Sequence, residues 1–461
     1  MKGDISMAGW DTLRGLLNEE LKQRTEEGCD TSGFDGKIIS AGDSIKALNA
    51  VYDELMALEI KNDYPYEEPS DLEKIKSLRP KRNDFNVQTY DIDYDFFYGA
   101  WLGRCCGCAL GRPIEMWHFM NGKDGISGWE LVYEWFKGAN AYPITGYTPQ
   151  YSAAAEKYGL EAIRSIASTK EHIKFMETDD DIRYTVLGLK LMEEKGVNFT
   201  PMDIGTLWHN NLTCNMACTA ERQAYINFSA EKDMLSASST SEEIETFIDF
   251  VRTYRNPYRE WIGAQIRIDA YAYAAAGRPQ LAAELAWKDA AFSHVKNGIY
   301  GAMFCAAMIA AAFTEKDSLK IIEAGLGQIP ENCRLTHDIK KAIEITKAAK
   351  DQIDLVKNIW EAFKHYNPVH TNNNAALCAA SILFAGNDFE KAIATSVLGG
   401  WDTDCNGATV GSIMGAKVGA KNIPSHWATP LNDTLYSAIP DFHPIKISEC
   451  AKRSYNVYKR I

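Results

Sequence analysis

Taken as a string of apolar and polar positions, the chain carries helical rather than strand periodicity almost throughout. Residues 10–28 and 43–60 place apolar side chains at helical spacing within charged surroundings, the pattern of helices with one buried face. They end at a polar stretch, Asp63 to Asn86, that holds Pro65, Pro69 and Pro80 and the basic run Arg79-Pro80-Lys81-Arg82. Proline within a polar stretch interrupts helices. A boundary is therefore expected near residue 88, dividing an N-terminal helical extension, 1–88, from a main domain, 89–461. From residue 95 to 460 helical patterns continue, with Ala-rich stretches at 264–276, 280–293, 302–313 and 375–386 and no sustained alternation of strand type. The most apolar run, Gly298 to Phe313, is shorter than the ~20 residues of a membrane crossing, so it predicts a buried central helix. No solenoid repeat is present. A single large all-α bundle is the expected architecture.

Composition narrows this picture. A chain of 461 residues is long for one core, which accords with an extension beside a main domain. With 46% hydrophobic and 24% charged residues it belongs with ordinary folded proteins. A net charge of −13, from 62 acidic against 49 basic residues, leaves no electrostatic footprint for nucleic acid or an anionic membrane, and neither is expected as a partner. Eleven cysteines, an odd number, follow a start without an apolar signal region, which predicts reduced thiols and a cytoplasmic location. Cys106 with Cys108, or Cys214 with Cys218, lacks a second Cys or His pair at zinc-finger spacing, so structural zinc is not expected.

Two segments stand out. Gly99, Gly103, Gly107 and Gly111 recur at every fourth position, as do Gly407, Gly411, Gly415 and Gly419. Each set lines one helix face. Glycine inside a helix costs about 1 kcal/mol relative to alanine, and close approach of two backbones is the compensation that small-residue stripes permit. Helices packed in this way hold whatever stands at their ends rigidly.

At such ends stand carboxylates. Glu177-Thr178-Asp179-Asp180-Asp181 precedes the amphipathic run Ile182 to Glu194, and Trp401-Asp402-Thr403-Asp404 precedes the second glycine stripe. Both read as helix N-termini. Capping and the helix dipole account for one acid in each. Adjacent carboxylates repel one another, so a cation is the second reading, and oxygen donors suit Mg²⁺ or Mn²⁺ rather than zinc.

Gly99-xxx-Gly103-xxx-Gly107-Cys-Ala-Leu-Gly111-x-Pro-x-Glu115, Thr178-Asp-Asp-Asp181, Ser293-His294, and Gly399-Gly-Trp-Asp402-Thr-Asp404 followed by Gly411-xxx-Gly-Ala416 together resemble, in order, the motifs of the ADP-ribosylglycohydrolases. The resemblance covers about residues 95–420. It implies an orthogonal all-α fold carrying two Mg²⁺ ions, with Mn²⁺ as the alternative, and hydrolysis of a glycosidic bond at C1 of ADP-ribose. The family's metal ligands carry over onto Thr178, Asp179, Asp180, Asp402 and Asp404, and its mobile acid onto Glu115. Glu115 and Asp404 are the expected catalytic pair, with Glu115 taking a proton from water as an oxocarbenium-like centre develops.

The chain departs from the family pattern in four places. Cys108 stands where the family has Asp, and Cys405 where it has Thr. A thiol is a poor ligand for a hard cation, so Cys405 puts one metal position in question. Trp401 intervenes before Asp402, and the 1–88 extension has no counterpart in the minimal domain. Ser293 and His294, and the cluster His370-Thr-Asn-Asn373-Asn374, interrupt apolar helical sequence; each is either a satisfied core group or part of the ribose or leaving-group pocket. Trp117, Trp129 and Tyr147 either stack on a base or close the core. An ADP-ribosylated protein or a small ribosyl metabolite is the expected partner. Two other readings stay open: a nucleoside or other small-metabolite N-glycoside hydrolase, and a non-catalytic binding or structural protein. Against the last, an idle site would retain several uncompensated buried charges. Oligomeric state is not indicated.

Overall fold

The computed structural model describes residues 7–8, 10–81, 91–161, 163–231, 235–236 and 238–461; the expected boundary near residue 88 lies outside them. Among the described residues, strands amount to two short antiparallel pairs, Met7–Ala8 with Asp11–Thr12 and Thr434–Leu435 with Ile445–Lys446. The remaining regular structure is helical, so the chain is all-α.

The first three helices, Leu13–Glu26, Phe34–Ala41 and Ile45–Met56, enclose a small apolar core of their own that includes Leu16, Leu17, Phe34, Leu48 and Leu55. Their starts are set locally: Thr12 and Ser44 accept from the amides of Gly15 and Ala47, as N-caps do. A fourth helix, Leu72–Ser77, is capped by Asp71 and lies against the main body, where Trp287 Nε1 donates to the Ser70 carbonyl at 2.9 Å. The joint between the first helices and the main body is ionic. Arg259 pairs with Glu20 at 2.8 Å and Glu27 at 3.2 Å. Arg334 pairs with Glu260 at 2.7 Å and Glu68 at 2.8 Å, and Gln23 donates to Glu260 at 2.7 Å.

In the main body, the apolar run expected to be a central helix forms Lys296–Ala312, buried from Asn297 onward. Beside it stand the two glycine helices, Tyr94–Gly111 and Thr403–Val418. They run antiparallel with their stripes in register. A Cβ added to Gly99, Gly103, Gly107 or Gly111 would fall inside 3.0 Å of the carbonyl oxygen of Gly415, Gly411, Gly407 or Thr403 respectively. The reverse additions at Gly407, Gly411 and Gly415 would strike Gly107, Gly103 and Gly99. The backbones themselves are therefore the contact surface, and this offsets the propensity cost of seven glycines in helices; Gly419, expected in the second stripe, lies just past the helix end with a φ of 82°. Their pairing brings the C-terminus of the first helix against the N-terminus of the second.

Candidate functional site

Three helix ends converge where the glycine helices meet. The second glycine helix starts at Thr403, with Asp402 at its N-cap position and Asp404 in its first turn. The first runs out at Gly111 through a short 3₁₀ turn, Arg112–Ile114, to Glu115. The third, Asp180–Lys195, is capped by Asp179, whose carboxylate accepts from the Asp181 amide at 3.0 Å. Two of these ends are N-termini, where the helix dipole favours negative charge. Just ahead of Asp402, Trp401 takes a left-handed backbone (φ 57°) and is pinned by stacking on Trp360 at 5.0 Å. Packing thus holds a conformation that costs an ordinary residue free energy, a device common at ligand sites.

Arg112 lies at the centre. Its Nη1 is 2.6 Å from Asp179 Oδ2, 2.7 Å from Glu115 Oε2 and 3.3 Å from Asp404 Oδ2. Cys108 donates its thiol proton toward Asp179 Oδ1 at 3.7 Å. Behind them the fully buried Arg104 pairs with Asp181 at 3.1 Å and Asp269 at 3.0 Å, and donates to Thr185 at 2.8 Å. Asn374 supports the opposite side. Its Oδ1 accepts from the Asp402 amide at 3.4 Å and from Asn406 at 2.7 Å.

The acids outnumber the cations that reach them. Burial, followed by Asp404, pushes the Glu115 carboxyl well above the usual range, and burial and Asp404 do the same to Asp402. Asp181 is raised chiefly by burial, against the pull of Arg104. Asp180 is pushed up to about 7 by burial and by Asp179. Asp181 Oδ2 and Asp402 Oδ1 are buried without a hydrogen-bond partner. Crowded carboxylates with free oxygens are an arrangement that could hold a cation. Cys108, Asp179, Asp181 and Asp404 each offer one ligand atom within 4.8 Å of the others, and Asp402, Asp404 and Cys405 form a second such group that shares Asp404. The oxygen donors fit a hard divalent ion. The two thiols do not.

The residues singled out in the sequence divide accordingly. Glu115, Asp179, Asp402, Asp404 and Cys405 come together, with Asp180 on the same acidic turn. Thr178 adjoins them, its hydroxyl accepting from Arg183 at 3.1 Å. Ser293 and His294 belong to a buried network instead: Arg267 donates to Ser293 Oγ at 2.9 Å, and His294 Nδ1 lies 2.8 Å from the same oxygen. His370 caps the helix Thr371–Ala385 and faces Glu26 at 3.4 Å. Asn373 donates to the Asn367 carbonyl at 3.1 Å. Among the described residues, no hydrogen bond or ion pair links these four directly to the clustered acids. Trp129 and Tyr147 are core residues, whereas Trp117 is 74% exposed beside Glu115. Sequence reasoning missed Arg112 and Arg104, and it quoted Asp181 within the acidic motif without placing it among the ligands. Arg112 had a local cue, a cation one residue after the last glycine of the stripe, and Asp181 had its place in the acidic run; Arg104 owes its place to partners far along the chain.

Among the described residues no helix is long and apolar enough to cross a membrane. No curated protein sequence matches the chain. A solved structure titled "ADP-ribosylglycohydrolase-related protein complex" is 18% identical, covers 79% of this chain and 98% of its own, and superposes with a TM-score of 0.46. Residues 89–457 match the family described as ADP-ribosylglycohydrolase. That span holds both glycine helices, Glu115 and every clustered acid, and the chain belongs to the ADP-ribosylglycohydrolase family.

Proposed function

We propose that the protein is a divalent-metal-dependent hydrolase that cleaves the glycosidic bond at C1 of ADP-ribose in an ADP-ribosylated protein or ADP-ribose derivative. The observation that carries this reading is the convergence of buried, partly unpartnered carboxylates at the ends of two rigidly paired helices. The donors available there to magnesium or manganese are Thr178, Asp179, Asp180, Asp402 and Asp404, with Asp181 through its free oxygen. Bound there, the metal supplies the charge that orients ribose hydroxyls and acidifies a water.

The chain's own groups do the rest. Glu115 stands past the end of the first glycine helix, half-exposed, with its carboxyl raised by burial and by Asp404 while Arg112 opposes the rise. A carboxylate of raised pKa is a stronger base, so Glu115 is placed to take the proton from the attacking water. Asp404, raised by burial and by Asp179, is shared between the two donor groups and keeps negative charge beneath the sugar as positive charge develops at C1. The glycine helices keep these carboxylates from drifting apart. Trp117, exposed beside Glu115, offers a face on which the adenine or the leaving group can stack.

Residues 1–88 are read as an extension seated on the catalytic domain 89–461, since their helices have a core of their own and meet the main body through ion pairs. Eleven free thiols favour a reducing, cytoplasmic compartment. The decisive experiment is an activity screen with Mg²⁺ or Mn²⁺ over ADP-ribosyl-arginine, ADP-ribosyl-serine, ADP-ribose esters and free nucleosides. Metal-dependent release of ADP-ribose from any of the first three supports the reading. Release of ribose from nucleosides alone, or no release from any substrate, overturns it.

A further inference from the structure

The two groups of metal-capable side chains are unequal, and Arg112 makes them so. In the group built on Asp179, Asp181 and Asp404, one oxygen of each carboxylate is already engaged by a cation of the chain, although Asp181 Oδ2 remains without a partner. Asp179 Oδ2 and Asp404 Oδ2 face Arg112 Nη1 at 2.6 and 3.3 Å, and Asp181 Oδ1 faces Arg104 at 3.1 Å. Each group also contains one thiol that a hard cation does not favour, Cys108 here and Cys405 in the other, so the guanidiniums and not the thiols separate them. In the other group, Asp402 Oδ1 is buried with no hydrogen-bond partner, and among the described residues the ion pairs of Arg112 go to Glu115, Asp179 and Asp404 rather than to Asp402. Only Asp404 is common to both.

Resting on the metal-dependent reading above, we propose that Arg112 is a resident cation: its guanidinium fills the Asp179–Asp404 position, and the native centre takes a single divalent ion on the Asp402–Asp404 side rather than a pair. Electrostatics gives the reason. A divalent ion seated on Asp179 would touch a guanidinium in a buried site, where like charges a few ångströms apart repel strongly. The alternative, Arg112 swinging away, would cost it three carboxylate partners at once, Asp179, Asp404 and Glu115. Arg112 also spans both halves of the site. Through Nη1 it ties Glu115 to the acidic turn, so the base and the charge it works against are joined by one side chain.

The test counts manganese. Equilibrium dialysis of the full-length protein against Mn²⁺, with metal analysis and electron paramagnetic resonance, should give about one ion per chain and the spectrum of an isolated ion. Arg112→Met keeps the bulk of the stem and removes the charge; a second ion should enter, and the spectrum should change to that of an exchange-coupled pair. Arg112→Lys keeps the charge and should remain at one ion. Two coupled ions in the unaltered protein would overturn the inference while leaving the metal-dependent reading intact, as would a single ion in a folded Arg112→Met. If Arg112→Met fails to fold, the count in the unaltered protein and in Arg112→Lys still decides. No Mn²⁺ bound by any form would remove the metal-dependent reading itself, and the inference with it.

Discussion

Two buried charge clusters in this molecule use the same kinds of side chain to opposite ends. At the joint between the N-terminal helices and the main body, every buried acid has a guanidinium against it. Burial alone would raise Glu260, but Arg334 and Lys296 reverse this and hold it at about 2. Glu27 is likewise lowered, as Arg259, Lys296 and Arg24 outweigh its burial. At the glycine-helix ends the acids crowd one another, Arg112 and Arg104 serve too many of them, and Glu115, Asp181 and Asp402 are driven upward. At the joint the lowered carboxyls go with guanidiniums that match the acids in reach, and at the helix ends the raised ones go with acids crowded on one another. The balance of acids to guanidiniums separates the two clusters, since burial is common to both.

The largest effect expected from this contrast is on turnover. Glu115→Gln preserves size and polarity but cannot accept a proton, so release of ADP-ribose at saturating metal should fall by roughly 10²–10⁴-fold. Manganese binding should be retained. Near-normal turnover would take Glu115 out of the mechanism, and loss of metal would make it a ligand.

At the joint, Arg259→Met should act on folding instead. It strands Glu20 in a buried site and leaves Glu27 to Arg24 and Lys296, and removal of one partner of a buried pair costs about 3–5 kcal/mol. Denaturant unfolding measures this; a cost below about 1 kcal/mol would show that the joint is solvated and that the contrast between the two clusters is false.

The same joint should loosen in acid. Glu260 has its folded pKa lowered from 4.5 to about 2, so its contribution is complete above the unfolded value and is lost as pH falls from 4.5 through about 2. The loss is on the order of 2–3 kcal/mol when complete. Urea titrations across this window should show the fall, and Arg334→Met should flatten it. An unchanged slope in that variant would separate Glu260 from the effect.

The smallest effect should have the opposite sign. Asp402→Asn removes a carboxyl that burial and Asp404 disfavour, so the metal-free protein should gain on the order of 1 kcal/mol. Its melting temperature should also cease to rise with added Mg²⁺, because that rise requires the site. A metal-free protein destabilised by this change would mean that Asp402 is balanced within the chain after all.

The all-α character was legible because apolar spacing is a local property. The helices Leu13–Glu26, Ile45–Met56 and Lys296–Ala312 fall where periodicity placed them. The shorter Phe34–Ala41 and Leu72–Ser77 were not anticipated; in so few turns a stripe barely repeats. Glycine at every fourth position gave the close packing of two helices, because the stripe has no other inexpensive explanation. Glu115 and the acidic doublets were found from adjacency and from the family motif. The guanidiniums were not, since Arg104 acts on residues 77 and 162 positions away, Asp181 and Ile266, and nothing near it in the chain signals that. Ser293 and His294 show the reverse difficulty. Their motif is local, but Ser293 Oγ accepts from the distant Arg267 and lies against His294 Nδ1, and a motif does not specify its neighbours.

The register of the two glycine helices also governs the order in which the protein can be made. Gly107 meets Gly407, and Gly111 meets Thr403, so each contact joins segments that leave the ribosome about 300 residues apart, roughly 15–60 s at ordinary synthesis rates. During that interval the first stripe has no counterpart, and a helix with four glycines on one face is marginal alone. Glu115 and Arg112 are therefore synthesised long before Asp402 and Asp404. A nascent chain that has not reached Asp404 has no centre at all, and the enzyme should pass from inert to competent in one late step rather than by degrees.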